Sequence, residues 1–323
     1  MKRLLFCTSW YSSNINRWLS EAFVDAGYEV IRVGPTNFNH YGIEWDNTPI
    51  ITEEFKENAP LNLPRLVDIY KPDILLMWDW TGEPPTYQVE DEDLTQKLKE
   101  RLPFIYVQHE GWENALKRKD IFNPSLCYTG MPYGVRSSPC NATALGYKYL
   151  PGACYPQVHR KINSFTQRDL ECVLFAGMYY PRPEICKELE SMGIKIKWGN
   201  VPVGEYESQM NRSLTTWEFS GGTDYIKWRI FEAMSMGTIV LTDRFSLLDK
   251  LGFKPNIHYL EYTPIYGKND EFIPEALDLF LMIQEAKDIE KYNSISEKAY
   301  EFVRAKHTYD IRVKSIEGDL ACL

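Results

Sequence analysis

The stretch Ser220-Gly-Gly-Thr-Asp-Tyr-Ile-Lys-Trp-Arg-Ile-Phe-Glu-Ala-Met-Ser-Met-Gly-Thr-Ile-Val-Leu-Thr-Asp243 decides how this chain folds. Gly221, Gly222 and Thr223 stand where a helix would begin and Gly237 where it would end. Thr238 to Thr242 is β-branched and apolar enough for a buried strand. The segment therefore reads as a glycine-led helix feeding a strand. At 100° per residue, Ile226, Ile230, Ala233 and Met234 share one arc, which is expected to face a core. The opposite arc carries Asp224, Tyr225, Trp228, Arg229 and Glu232, its two acids eight positions apart.

That second arc suggests a chemistry. A helix start opened by two glycines presents free backbone N–H groups and a partial positive charge, which suits a phosphate. A carboxylate two turns further along is placed to accept hydrogen bonds from a ribose diol. The residues sketch a nucleotide pocket, and they equally describe a surface helix with a Glu–Arg pair and a tight glycine turn.

Working outward, Leu170–Phe175 reads as a strand, 177–183 as a loop, Glu184–Met192 as a helix and Ile194–Trp198 as the next strand. A short helix over Tyr206–Arg212 precedes the opening segment. After it come a helix over Phe245–Leu251, a short strand within Ile257–Tyr262 and long helices over Ile273–Ala286 and Ile289–Lys306. The front of the chain has the same rhythm. Arg3–Thr8, Ile15–Ala26 and Glu29–Val33 form a strand, helix and strand, the start of a doubly wound half. Residues 37–62 read as loop with short elements. A helix over Leu63–Tyr70 follows, then strands over Asp73–Met77, Phe104–Val107, Ser125–Thr129 and Gly146–Pro151, with a helix over Leu94–Arg101 between the first two. The polar, proline-bearing segment Cys154–Gln167 reads as the hinge. The fold class is α/β with two Rossmann-like, doubly wound domains.

Composition narrows the function. A chain of 323 residues with 44% hydrophobic and 25% charged residues is long enough for two cores and has the make-up of a water-soluble globular protein. A net charge of −9 gives no general pull toward nucleic acid or an acidic membrane. No apolar run approaches the roughly 18 residues needed to span a bilayer, and Leu4–Cys7 is too short for a signal peptide core. Seven scattered cysteines without CxxC spacing indicate reduced thiols rather than a disulfide framework or zinc site. The Asp-x-Asp within Glu90-Asp-Glu-Asp93 precedes a helix and reads as dipole compensation, so no metal ligand is assigned.

Loops after parallel strands line ligand crevices. Trp10, Tyr11 and Asn14 follow the first strand, without the GxGxxG of a dehydrogenase-type dinucleotide site. They are candidate acceptor contacts or simply loop packing. Asp79 and Trp80 follow another strand and would grip a sugar by its hydroxyls and apolar face, or cap the strand.

Phe231–Asp243 resembles the donor-site segment of group 1 glycosyltransferases, and more closely the CgeB-like branch of that superfamily. The pieces Phe175-Ala-Gly-Met-Tyr-Tyr-Pro-Arg-Pro-Glu184, Gly193-Ile-Lys-Ile-Lys-Trp-Gly199, Arg229-Ile-Phe-Glu232 and His307-Thr-Tyr-Asp-Ile-Arg312 match in order. The resemblance covers most of residues 170–315. It implies a GT-B fold with two domains facing each other across a cleft: an acceptor domain at 1–164, a donor domain at 165–302 and a closing segment at 303–323 that crosses back.

The resemblance further implies transfer of a hexosyl or pentosyl group from a nucleotide sugar, UDP- or GDP-linked, with retention and without a metal or tightly bound cofactor. By this carry-over Glu232 binds the donor ribose, and Arg182 with Arg229 or Lys227 neutralises the diphosphate. Gly177, Gly221, Gly222 and Thr223 line the phosphates. Asp224 has the spacing of the acid near the donor sugar, although the glycines here precede it, which makes Glu218 its possible substitute. His109, after a first-domain strand, has the context of a donor-sugar contact. CgeB-like proteins are tied to spore surfaces and similar ones occur in phage genomes, so the acceptor classes implied are a glycan, a protein or a modified DNA base, in a cytoplasmic setting. The same two-domain shell also serves catalytically silent sugar- or partner-binding proteins and nucleotide-sugar epimerases.

Overall fold

The computed structural model describes residues 1–8, 15–34, 50–51, 62–79, 92–108, 119–130, 132, 134–135, 138–139, 141–177, 180–201, 204–220, 226–267 and 272–323. Two compact units emerge, residues 1–151 with 309–323 and residues 152–308.

The first unit is built on β1 (Arg3–Cys7), β2 (Glu29–Val33), β3 (Ile50–Ile51), β4 (Ile74–Asp79), β5 (Phe104–Gln108) and β6 (Leu126–Thr129), followed by a small hairpin of β7 (Gly134–Val135) and β8 (Ser138–Pro139), and by β9 (Lys148–Tyr149). The main sheet has the order β3-β2-β1-β4-β5-β6-β9, with every pairing parallel. A parallel sheet is covered on both faces, which is why Leu4 to Cys7 and Phe104 to Val107 are wholly buried and read as unbroken apolar runs. Helix Leu63–Tyr70 starts where Asn62 accepts from the Arg65 amide at 2.8 Å, with Pro64 in the first turn. The Leu94–Arg101 helix is shorter than the sequence implies, a turn over Glu92–Gln96 followed by a tighter one over Leu98–Glu100.

The terminal helix Tyr309–Leu320 belongs to this unit and packs against helix Ile15–Asp25. Tyr28 Oη donates to Glu317 at 2.9 Å and Tyr128 Oη to Asp319 at 2.6 Å, tying it to the sheet. The units divide at 151/152 and 308/309, where the sequence suggests 164/165 and 302/303. Residues 159–162 are bonded into the second unit: Ser235 Oγ donates to the His159 carbonyl at 2.7 Å, and the Ile162 amide donates to Asn211 Oδ1 at 2.7 Å. At the other junction helix Ile289–Lys306 runs unbroken through position 302.

The second unit contains β10 (Leu170–Leu174), β11 (Ile196–Trp198), β12 (Ser213–Trp217), β13 (Ile239–Thr242) and β14 (Leu260–Glu261), and the hairpin β15 (Ile265–Tyr266) with β16 (Phe272–Ile273). Its sheet runs β11-β10-β12-β13-β14, again all parallel. Helices Arg182–Ser191, Tyr206–Arg212, Trp228–Ser235 and Ser246–Lys250 connect the strands in turn.

Two features differ from the sequence reading. The central strand β12 has no counterpart in it, because Ser213-Leu-Thr-Thr-Trp217 is rich in hydroxyls. All five residues are buried, and each hydroxyl finds a carbonyl: Ser213 Oγ bonds Thr215 O at 2.7 Å, Thr215 Oγ1 bonds Glu171 O at 2.7 Å and Thr216 Oγ1 bonds Val173 O at 2.8 Å. The helix of the opening segment begins at Trp228 rather than near Thr223, since Lys227 is extended at φ −68°, ψ 135°. Ile226 still reaches the core, at 2% exposure. Gly237, at φ +73°, ends the helix as its sequence position implies.

At the end of β2, Gly34 adopts φ +143°, and a Cβ there would lie 1.8 Å from the Thr8 carbonyl oxygen. Gly34→Ala is expected to lower the stability of the protein by about 3 kcal/mol, because backbone must move to admit the methyl. Urea unfolding checks this, and a loss under about 0.5 kcal/mol counts against the packing described.

Candidate functional site

In a doubly wound sheet the ligand crevice opens beyond the carboxyl ends of the strands, where the strand order reverses direction. In the second unit that point lies between β10 and β12. Just beyond these strands and β13 stand several buried charged residues. Gly177 follows β10, Arg182 begins the next helix, Glu218 to Ser220 follow β12 and Asp243 follows β13.

Glu218 is the hub. Its Oε1 accepts from Arg229 Nε, and its Oε2 lies 3.6 Å from Arg182 Nη2. The side chains of Glu218 and Arg182 are 2% and 1% exposed, and that of Arg229 is largely buried. Arg182 also donates from Nη1 to the Gly177 carbonyl at 3.0 Å. Burial would raise the Glu218 carboxyl, but the charges of Arg229 and Arg182 outweigh it and hold it below the usual carboxylate range. Burial likewise works against the Arg229 charge, and Glu218 overcomes it, so Arg229 stays protonated.

Lys227 completes the group. Its Nζ and the Arg182 guanidinium carbon each lie 5.1 Å from the Phe219 ring centre. Burial brings its ammonium down to about 8, with Arg182 and Arg229 adding to the fall while Glu218 and Asp243 oppose it. Asp243 accepts from the Ser220 amide at 2.8 Å and from the Ser220 hydroxyl. Tyr262 Oη donates to the Glu218 carbonyl at 2.7 Å and lies 3.4 Å from Asp243. Burial raises the Asp243 carboxyl despite the Ser220 bonds.

The structure thus brings together Arg182, Lys227, Arg229 and Gly177 around Glu218. Glu232 is not bonded to these residues but lies within their electrostatic reach. The arc expected to face a ligand is packed at that position: Glu232 is 4% exposed, its Oε2 accepts from Tyr206 Oη at 2.9 Å, and its Oε1 lies 3.7 Å from His159 Nε2. Helix Tyr206–Arg212 and the turn ending at His159 cover it. Burial raises its carboxyl to about 8, with Tyr206 and Arg229 opposing. Glu218, the possible substitute for Asp224, is committed to the two arginines.

Trp10, Tyr11, Asn14, Trp80, His109, Gly221, Gly222, Thr223 and Asp224 lie outside the described residues. Asp79 is the last residue of β4, opposite Gln108. The sequence reading did not single out His159, Tyr206, Ser220 or Asp243 as site residues. Asp243 had a signal, an acid at the carboxyl end of a predicted strand. His159 had none, sitting in a segment that reads as hinge. Among the described residues no cluster of three metal-ligating side chains is present, and no helix is long and apolar enough to cross a membrane.

Residues 176–318 match the family model described as Glycosyl transferase-like. No curated protein matches the chain in sequence. Among solved structures, an alpha-glucosyltransferase in complex with UDP and a 13-mer DNA containing an A:G mismatch superposes with a TM-score of 0.64 at 12% identity, over 99% of this chain and 100% of that one. Anabaena Alr3699/HepE in complex with UDP and glucose gives 0.65 at 12% identity, and sucrose-phosphate synthase from Thermosynechococcus elongatus 0.61 at 13%, both over 100% of each chain. The fold is the two-domain, Rossmann-like fold of GT-B glycosyltransferases. The family match and these neighbours together support a transferase of that type.

The Glu232 carboxyl supplies a test of this geometry. Its position near 8, against an ordinary 4.5, means the folded chain keeps a proton that the unfolded chain has released. Stability is then intact below about pH 4.5 and falls as pH rises toward 8, by roughly 1.4 kcal/mol per pH unit. Glu232→Gln removes that loss, so its Tm is expected to exceed the wild type at pH 8 and to converge with it near pH 5. A Tm difference independent of pH contradicts the buried, protonated carboxyl.

Proposed function

We propose that this protein transfers a hexosyl or pentosyl group from a UDP- or GDP-linked donor, with retention and without a metal ion. The observation that carries the reading is the cation cluster at the reversal point of the second sheet, not Glu232. Departure of a nucleoside diphosphate from an anomeric carbon builds negative charge on the leaving phosphate. Arg182, Arg229 and Lys227 supply the opposite charge in a largely water-excluded place, held in advance by Glu218, Gly177 and Phe219. Such pre-positioned charge costs little reorganisation during the reaction and is the main source of catalysis in this kind of step. Three cations provide what a divalent ion would otherwise supply, which supports a metal-independent mode.

In this reading Glu232 takes the pentose diol. The ionised form offers about four acceptor positions, of which Tyr206 takes one, so diol binding is expected to strengthen as pH rises toward 8. With Glu218 engaged by the arginines, Asp224 is assigned as the acid for the donor sugar, and His109 is assigned a donor-sugar contact. Gly177, Gly221, Gly222 and Thr223 approach the phosphates through their backbone. The strand-end residues Trp10, Tyr11, Asn14, Asp79 and Trp80 are assigned to the acceptor, a glycan, a protein or a modified DNA base. Order and spacing of the 175–184 and 229–232 motifs support placement in the CgeB-like branch.

Calorimetry with UDP and GDP tests the assignment. Lys227→Ala and Arg182→Ala each remove a charge-assisted contact worth roughly 1.5 to 3 kcal/mol, so about ten- to a hundredfold weaker binding is expected. Glu232→Ala is expected to fall in the same range. Unchanged affinity in both cation variants, or no wild-type binding of either nucleotide, overturns the reading. Slow release of free UDP or GDP from a nucleotide sugar separates the enzyme from a silent binding protein.

A further inference from the structure

Two protein donors address the two oxygens of Glu232 from different directions. Tyr206, on helix Tyr206–Arg212, donates to Oε2 at 2.9 Å. His159 Nε2 stands 3.7 Å from Oε1. The histidine tautomer follows from its other nitrogen, since Nδ1 accepts the Tyr155 amide at 3.0 Å and carries no proton. The proton therefore sits on Nε2, the atom turned toward Glu232. Burial holds the imidazole down to about 3, so over the ordinary pH range the ring is a neutral dipole rather than a counter-charge.

The segment that carries this ring is bonded to two helices distant in sequence. Ser235, one turn beyond Glu232 on the same helix, donates to the His159 carbonyl at 2.7 Å. Asn211, on the Tyr206 helix, donates to the Arg160 carbonyl at 2.9 Å and accepts from the Ile162 amide at 2.7 Å. Aiming a histidine in this way requires bonds on both sides, and both are present.

We propose that Tyr206 and His159 are positioning residues for Glu232: Tyr206 aims one oxygen by a hydrogen bond, and the His159 N–H dipole faces the other from 3.7 Å, and both favour the charged carboxylate. The role in donor binding rests on Glu232 being the pentose ligand. A charged carboxylate accepts from both hydroxyls of a vicinal diol, whereas a protonated one must also donate. The groups acting on Glu232 come from four elements. They are His159 and Cys154 from the segment after residue 151, Tyr206 and Glu207 from the short helix, Glu218 from the end of β12, and Arg229 from its own helix. Arg229 favours the charged form, and Glu207 and Glu218 oppose it. Removing a donor from this set shifts the balance toward the protonated acid.

The test is a pH titration of the full chain labelled with 13C at the glutamate carboxyls, the Glu232 signal being the one lost in Glu232→Gln. Tyr206→Phe deletes one hydroxyl. His159→Asn keeps an acceptor for the Tyr155 amide and deletes the donor facing Glu232, while His159→Gln restores a donor near the Nε2 position. The midpoint of Glu232 is expected to rise by about one pH unit in Tyr206→Phe, to rise by less in His159→Asn and to return toward wild type in His159→Gln. Midpoints unmoved in both deletions overturn the proposal, as does an equal shift in His159→Asn and His159→Gln. If His159→Asn does not fold, Tyr206→Phe alone decides, since its ring is partly exposed and the change is conservative.

UDP binding is read on the same variants. Weaker UDP binding in Glu232→Gln with unmoved midpoints defeats the positioning role alone. Unchanged UDP binding in Glu232→Gln with shifted midpoints defeats the pentose assignment and leaves the positioning role standing.

Discussion

A single carboxylate held by two guanidinium groups governs the second unit. Glu218 at the end of β12 and Arg182 at the start of the helix after β10 belong to the two strands that flank the reversal in sheet order. Arg229 reaches the same carboxylate from the first turn of the next helix. Buried charges are stable only when paired and hydrogen-bonded, so each constrains where the other can go. This pairing ties the first turns of two helices to the end of β12. The arrangement is expensive in desolvation, and a well-packed apolar group of similar volume is often at least as stable.

Another buried arginine does comparable work at the opposite end of the strands. Arg168 donates from Nη1 to the Ser213 carbonyl at 2.5 Å and to Thr238 Oγ1 at 2.8 Å, and from Nη2 to the Met236 carbonyl at 2.6 Å. It thereby joins the start of β12 to the carboxyl end of helix Trp228–Ser235. Carbonyls at a helix end lack partners within the helix, and a cation is the natural group to meet them. The helix that carries Arg229 and Glu232 is thus held at one end by Glu218 and at the other by Arg168.

Much of this architecture was legible in the sequence where local pattern and tertiary role coincide. The run Leu4 to Cys7, the Pro64 helix start and the Gly237 stop each carry their own signal. β12 was illegible because its side chains are polar and their burial depends on carbonyls supplied by neighbouring strands, which no local pattern reveals. The start of the Trp228 helix was misjudged for a related reason: glycine and threonine at 221–223 fit a helix start, yet Lys227 remains extended. At the site, Arg182, Arg229 and Lys227 stood out in the sequence as cations near predicted helix starts. Their common dependence on Glu218 was not, and neither was the covering of Glu232 by Tyr206 and His159, which lie 26 positions before and 73 positions before it in the chain.

The return of residues 309–323 to the first unit has a consequence for how the protein is made. On the ribosome, helix Ile15–Asp25 emerges long before the helix that packs against it, with the whole second unit made in between. Tyr28 and Tyr128 must likewise wait for Glu317 and Asp319. The second unit is continuous in sequence and needs no such delay. Vectorial synthesis therefore leaves one flank of the first unit uncovered until the second unit has been made, so a chain stopped between residues 308 and 320 would hold a finished second unit and an unfinished first one.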